Sequence, residues 1–174
     1  MTDIAFASAT EIATKIANKE ISAKEMLEHY LSRVDRYNKD LNAVVVDVRD
    51  RARQHAQAMD ERIAQGSAKG KFFGVPTTVK ESYNLVGEKT TWGNPEWNDN
   101  IATEDAEAVR RLAREGTNVF GKTNIPISLA DFQSYNEVYG TTNNPYDLSR
   151  GPGGSSGGSA AALAAGLTGL EIGS

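Results

Sequence analysis

Cysteine is missing altogether from the 174 residues. Disulfides, thiolate metal sites and a cysteine nucleophile are therefore excluded. Histidine is nearly as scarce, with only His29 and His55, both on predicted helices where a solvated imidazole is the ordinary role. Positive charge is not in excess: 19 Lys and Arg stand against 23 Asp and Glu, a net charge of -4. That balance leaves no basic footprint for nucleic acid or an anionic membrane surface. No apolar run approaches the roughly 20 residues that span a bilayer. The opening Met-Thr-Asp-Ile-Ala has neither a basic region nor an apolar stretch, so no secretory signal is visible and the cytoplasm is the expected compartment. There is no internal repeat and no low-complexity tail.

What is present suits a folded, soluble chain, with 39% hydrophobic and 24% charged residues. Ser8-Ala-Thr-Glu11 and Ser22-Ala-Lys-Glu25 have capping-box spacing and predict two helix starts. Leu27, Tyr30, Leu31, Val34 and Tyr37 continue the second as an amphipathic helix. Ala43–Val46 is a β-branched run that predicts a strand. A helix fits Arg51 to Gln65, stopped by Gly66. Strands are predicted over Phe72–Lys80, with Pro76 at a bend or edge, over Thr117–Phe120, and over Leu167–Ile172. A helix with early acids and late arginines fits Asp105–Glu115, with Gly116 as its cap. The turn-rich stretch Gly87–Ile101 carries Trp92 and Trp97, read as cover for a cleft, and Gly121–Arg150 reads as irregular. This alternation predicts an α/β class, a mixed, mostly parallel sheet covered by helices. Two regions are expected: residues 1–70, helical with one strand, and residues 71–174, the first part of a catalytic core.

The chemistry concentrates in Gly151–Leu167, where glycines and Ser155, Ser156 and Ser159 run directly into an alanine helix. Such a helix has no polar face and is expected to be buried. The hydroxyls would then stand at a helix mouth where free backbone N–H groups gather. Two motif matches fail on context. Gly116–Thr123 fits G-x-x-x-x-G-K-[ST], but a helix precedes it and Pro126 follows, where a phosphate loop needs a strand before and a helix after. Lys122 therefore reads as a strand-end residue. Gly154–Gly158 fits G-x-S-x-G, but the hydrolase elbow needs a histidine later in the chain, and both histidines lie upstream. A lysine base remains, with a solvated Lys80 and a flexible Gly-Ser linker as the ordinary alternatives.

Four blocks in series carry a resemblance: Gly74-Val-Pro-Thr-Thr-Val-Lys80-Glu, Gly121-Lys-Thr-Asn-Ile-Pro126, Gly140-Thr-Thr-Asn-Asn-Pro-Tyr-Asp147 and Gly153-Gly-Ser-Ser-Gly-Gly-Ser-Ala160. In order and spacing they resemble the amidase signature family. The resemblance implies amide hydrolysis by a Ser–cis-Ser–Lys triad, with no metal or organic cofactor and a small-molecule amide as substrate. Lys80 matches the family's base. Ser155 matches the bridging serine that follows a cis peptide bond and borders the substrate; Ser156 would stand behind it, and Leu129 matches a position lining the acyl pocket. Homo-oligomers are compatible with the family.

One departure matters. The family's acyl-enzyme serine lies in a Gly-Gly-Ser segment shortly after the strand ending Gly-Ser, and this sequence reaches only Gly173-Ser174. The expectation is an N-terminal portion whose nucleophile, oxyanion N–H groups and most of the pocket come from the remaining C-terminal part of the same enzyme, so that this stretch alone is inactive. Two alternatives stand beside a stand-alone amidase. One is the glutamine-hydrolysing subunit of a tRNA-dependent amidotransferase, disfavoured because Pro126-Ile-Ser-Leu129 replaces the acidic-aromatic run common there. The other is a non-catalytic binding or assembly module that lacks the nucleophile.

Overall fold

The computed structural model describes residues 3–174. Met1 and Thr2, which open the stretch read for a secretory signal, lie outside the described residues. Among the described residues, no helix is long and apolar enough to cross a membrane.

Both predicted capping boxes form. Helix α1 spans Ala9–Ala17 and α2 spans Ala23–Leu41, and each begins with a serine hydroxyl accepting the N–H of a glutamate whose carboxylate returns to the serine N–H. Helix α2 ends at Asn42 in the left-handed conformation, and Asn38 Oδ1 accepts the N–H groups of Ala43 and Val44, each at 2.9 Å, turning the chain into strand β1, Val44–Asp47. Helix α3 spans Arg49–Ala64. Ile12, Ile16, Met26, Leu27, Tyr30 and Leu31 are almost wholly buried, and with Ala52, Ala56, Phe120, Ala161, Ala162 and Leu167 they form the main core. A smaller cluster of Val48, Val79, Leu85 and Val109 lies under helix α4, Glu107–Arg114.

The sheet joins β1, β3 (Asn118–Thr123), β2 (Pro76–Lys80) and β6 (Leu170–Ile172) in that order. β2 runs parallel to β3 and β6, and β1 antiparallel to β3, so the sheet is mixed and mostly parallel as expected. Strands β4 (Tyr135–Asn136) and β5 (Gly140–Thr141) make a separate hairpin, and helix α5 is Gly157–Ala164.

Several boundaries differ from the sequence reading, each for a local reason. Strand β2 begins only at Pro76, because Gly74 at φ +84° and a Val75 N–H to Phe72 carbonyl bond of 3.0 Å turn the chain first. Helix α4 begins at Glu107 because Asp105 is drawn away: its carboxylate accepts the Val86 N–H at 2.7 Å. β3 runs on to Thr123, so Gly121-Lys-Thr is strand and not irregular chain. β6 is shorter than expected because Leu167 N–H bonds back to the Ala162 carbonyl at 2.8 Å and Gly166 takes φ +62°, closing α5 instead. Helix α5 is not buried all round: Ala161 and Ala162 are, but Leu163 is 47% exposed. Trp92 and Trp97 are likewise substantially exposed.

Candidate active site

Parallel β2 and β3 bring their carboxyl ends side by side, with Lys80 the Cα partner of Thr123. Open α/β sheets place ligands at such ends. Lys80 is wholly buried, and among the described residues no Asp or Glu side chain pairs with it. Its Nζ donates to Ser155 Oγ at 2.7 Å and to Ser174 Oγ at 2.8 Å, with the Ser174 carbonyl at 3.4 Å. Burial lowers the Lys80 pKa from its ordinary value, since an ammonium loses its hydration there.

Ser155 is delivered by a loop that tolerates only glycine at key points. The Gly154–Ser155 peptide bond is cis. A Cβ on Gly154 would stand 2.7 Å from the Gln133 nitrogen, and one on Gly158 would stand 2.3 Å from the Asn124 nitrogen. Ser134, which no local motif singles out, braces the loop: its Oγ lies 3.3 and 3.4 Å from the Gly153 and Ser155 carbonyls as donor and accepts the Gly157 N–H at 2.9 Å. Gly158 N–H bonds to the Asn124 carbonyl at 3.2 Å. The first two N–H groups of α5 are thus already occupied, contrary to the expectation of free donors at the helix mouth. Ser134 stands 23 positions before Gly157, and Asn124 farther still from Gly158, too remote for local spacing to reveal.

Ser156 does not touch Lys80. Its Oγ donates to the Ser174 carbonyl and accepts the Ser174 N–H, both at 3.0 Å, so it stands behind the Lys80–Ser155 pair by holding Ser174 in place. Leu129 lies apart from this hydrogen-bonded cluster, at the end of the Ile127–Leu129 turn, where Ser128 and Leu129 both take left-handed φ values of 52° and 59°. Such values are uncommon for residues other than glycine and mark a turn held by its surroundings. The Trp92 carbonyl accepts the Ser128 N–H at 2.8 Å and supplies part of that hold.

Lys122 is also wholly buried and donates to the Lys89 carbonyl and to Thr90 Oγ1, the latter at 2.9 Å. It lies within β3, not in a phosphate loop. Beside it Glu81 accepts the N–H groups of Thr91 at 2.6 Å and Trp92 at 3.1 Å and the Tyr139 hydroxyl at 3.0 Å. Together they fasten the Trp92 segment over the strand ends. Among the described residues no group of His, Asp or Glu side chains is arranged to hold a metal ion.

The amidase family model matches residues 25–174. The chain belongs to the amidase signature family. AmiB2 of Mycobacterium tuberculosis, named as a putative amidase, is 42% identical over 173 residues, covering 99% of this chain and 37% of the relative. A glutamyl-tRNA(Gln) amidotransferase component from Bdellovibrio bacteriovorus is 41% identical over 175 residues, covering 98% of this chain and 36% of the relative. A bacterial aryl acylamidase of the amidase signature family superposes with a TM-score of 0.90 at 32% identity, covering 94% of this chain and 34% of that structure. The chain therefore spans a little over a third of the length of these curated amidase signature relatives.

Proposed function

We propose that these residues form the proton-relay half of an amidase site that hydrolyses a small carboxylic acid amide to acid and amine. The observation that carries the reading is a buried lysine without an acidic partner, 2.7 Å from a serine hydroxyl. An ordinary lysine, with a pKa near 10.4, is neutral in only about one molecule in 2,500 at pH 7. Desolvation of Lys80 raises that fraction. A neutral amine has two N–H bonds and a lone pair. With Ser174 Oγ and the Ser174 carbonyl as acceptors for the N–H bonds, the lone pair is left to face Ser155.

In the complete enzyme the nucleophilic serine is proposed to lie beyond Ser174. It gives its proton to Ser155 Oγ as Ser155 passes its own to Lys80 Nζ, and the serine oxygen bonds to the amide carbon. As the C–N bond breaks, Lys80 returns the proton through Ser155 to the departing nitrogen. Water then attacks the acyl ester as the same relay takes its proton. When the ester C–O bond breaks, the relay returns that proton through Ser155 to the serine oxygen, releasing the acid and restoring the serine. Leu129 is proposed to border the acyl group. Residues 71–174 would form the first part of the catalytic core, with residues 1–70 buttressing it.

The test is amide hydrolysis by the complete enzyme. Lys80→Ala and Ser155→Ala should each lower kcat by about 10²–10⁴-fold. Near-normal turnover in either variant removes the assignment. A second reading, glutamine hydrolysis within a tRNA-dependent amidotransferase, draws support from the 41% identity to a component of such an enzyme. Glutaminase activity that needs partner subunits would favour it; activity on simple amides without partners favours the stand-alone amidase. A gene that encodes no serine after a Gly-Gly pair beyond Ser174 would leave a binding module.

A further inference from the structure

Glu171 is a titratable side chain that the relay leaves unused. On β6 it is the Cα partner of Thr78, and Thr78 and Lys80, two residues apart on one strand, share a face of the sheet. The residue keeps some exposure at the sheet edge, but its carboxyl is enclosed by three hydroxyls. Thr78 Oγ1 donates to Oε2, and Ser159 Oγ and Thr123 Oγ1 donate to Oε1 at 3.0 and 3.1 Å. Thr123 and Ser159 are themselves 2.9 Å apart.

Every one of these partners sits on an element that positions the relay. Thr78 precedes Lys80 by two residues on β2. Thr123 is the Cα partner of Lys80 on β3. Ser159 lies in the first turn of α5, directly after the loop that delivers Ser155, and Glu171 itself stands three residues before Ser174. We propose that Glu171 is a positioning residue for the relay, one carboxyl that ties β2, β3 and α5 to β6, fixes Lys80 Nζ against Ser155 Oγ, and transmits its own charge state to the amine. This inference rests on the reading of Lys80 and Ser155 as the relay.

The groups bonded to the carboxyl are the hydroxyls of Thr78, Thr123 and Ser159 and the Ile172 backbone N–H, and none is charged. The ionisable side chain on the same face is Lys80, whereas the neighbouring residues Glu81 and Lys122 alternate to the other side. Burial pushes the Glu171 pKa up to about 7, so the neutral acid is populated near neutrality. In this inference the carboxylate, once ionised, favours the ammonium form of Lys80, which cannot accept a proton.

The experiment compares kcat and KM across about pH 5.5–10 in the complete enzyme for wild type, Glu171→Gln, Glu171→Leu and Lys80→Ala. Glu171→Leu, which unties the elements, should lower kcat by about 10²-fold with KM changed by less than about 3-fold, because misplacement of a reacting group acts on the chemical step. Glu171→Gln keeps the hydrogen-bonding shape without the charge. Its kcat should stay within about 5-fold of wild type, while the rising limb of its pH profile moves to lower pH by about half a unit or more. A Gln limb that coincides with wild type overturns the inference, as does wild-type kcat in the Leu variant; if the Leu variant does not fold, the Gln profile decides. Lys80→Ala separates the two readings. Turnover in that variant removes the relay itself, whereas an inactive Lys80→Ala beside an unshifted Gln profile removes only the role of Glu171.

Discussion

The N-terminal helices and the carboxyl end of the sheet's parallel strands bury different kinds of matter. Among the described residues, those buried up to Val75 are apolar, with Ile12, Ile16, Met26, Leu27 and Leu31 at 2% exposure or less. The buried polar and charged residues lie from Thr77 onward, among them Lys80, Glu81, Lys122, Thr123 and Asn124, all wholly buried. Burying a polar group costs free energy unless it finds partners, and burying a charge costs more. The partners are present: Lys80, Glu81, Lys122, Thr123 and Asn124 all make side-chain hydrogen bonds. The first region is held by apolar packing, the second by buried polar side chains tied to partners at defined distances.

The contrast would break most visibly if the two regions responded alike to truncation. Leu27→Ala should cost about 2–5 kcal/mol, from lost transfer energy and the cavity left behind, read as a fall in denaturant midpoint. Lys80→Met, an apolar side chain of similar length, should leave that midpoint unchanged or raise it, because a desolvated amine is removed. A Lys80→Met protein destabilised as much as Leu27→Ala would make the lysine a structural strut.

Lys122 sharpens the same contrast through pH. Burial pulls its pKa down to about 8 from an ordinary 10.5. A depressed folded-state pKa contributes stability that is present above the unfolded value and lost as pH falls through the folded one. Wild-type stability should therefore rise between about pH 8 and 10.5, by up to ~3 kcal/mol from this group. Lys122→Met should flatten that slope when unfolding is followed at several pH values. An unchanged slope would show that Lys122 keeps its charge in the folded state, offset by Glu81 beside it.

The sequence made legible what is local. Both capping boxes, the amphipathic run of α2 and the α/β alternation followed from residues near one another, whereas Lys80 and Ser155, 75 positions apart, were singled out only by the family resemblance of the motif blocks. Polar packing across the chain was not legible. Ser134 bracing Gly157, Asn124 meeting Gly158, and Glu171 gathering Thr78, Thr123 and Ser159 all depend on how the strands lie side by side. Asp105 shows the same limit at smaller scale, since a tertiary bond to Val86 outweighed its apparent place in a helix's first turn.

The start of α2 sets a local cap and a tertiary cap side by side. Ser22 Oγ accepts the Glu25 N–H at 3.0 Å, as its spacing foretells. Asp60, from α3, accepts the Ala23 and Lys24 N–H groups at 2.7 and 3.1 Å, which no local pattern announces. Asp60→Ala leaves two donors without partners, one of them on wholly buried Ala23, and should cost about 2 kcal/mol. Ser22→Ala strands one exposed donor that water can reach, and should cost about 1 kcal/mol. Denaturant unfolding of the two variants ranks them. If Ser22→Ala proves the more damaging, the N-terminal region is held by its local signals after all, and its dependence on packing between α2 and α3 is smaller than the buried contacts imply.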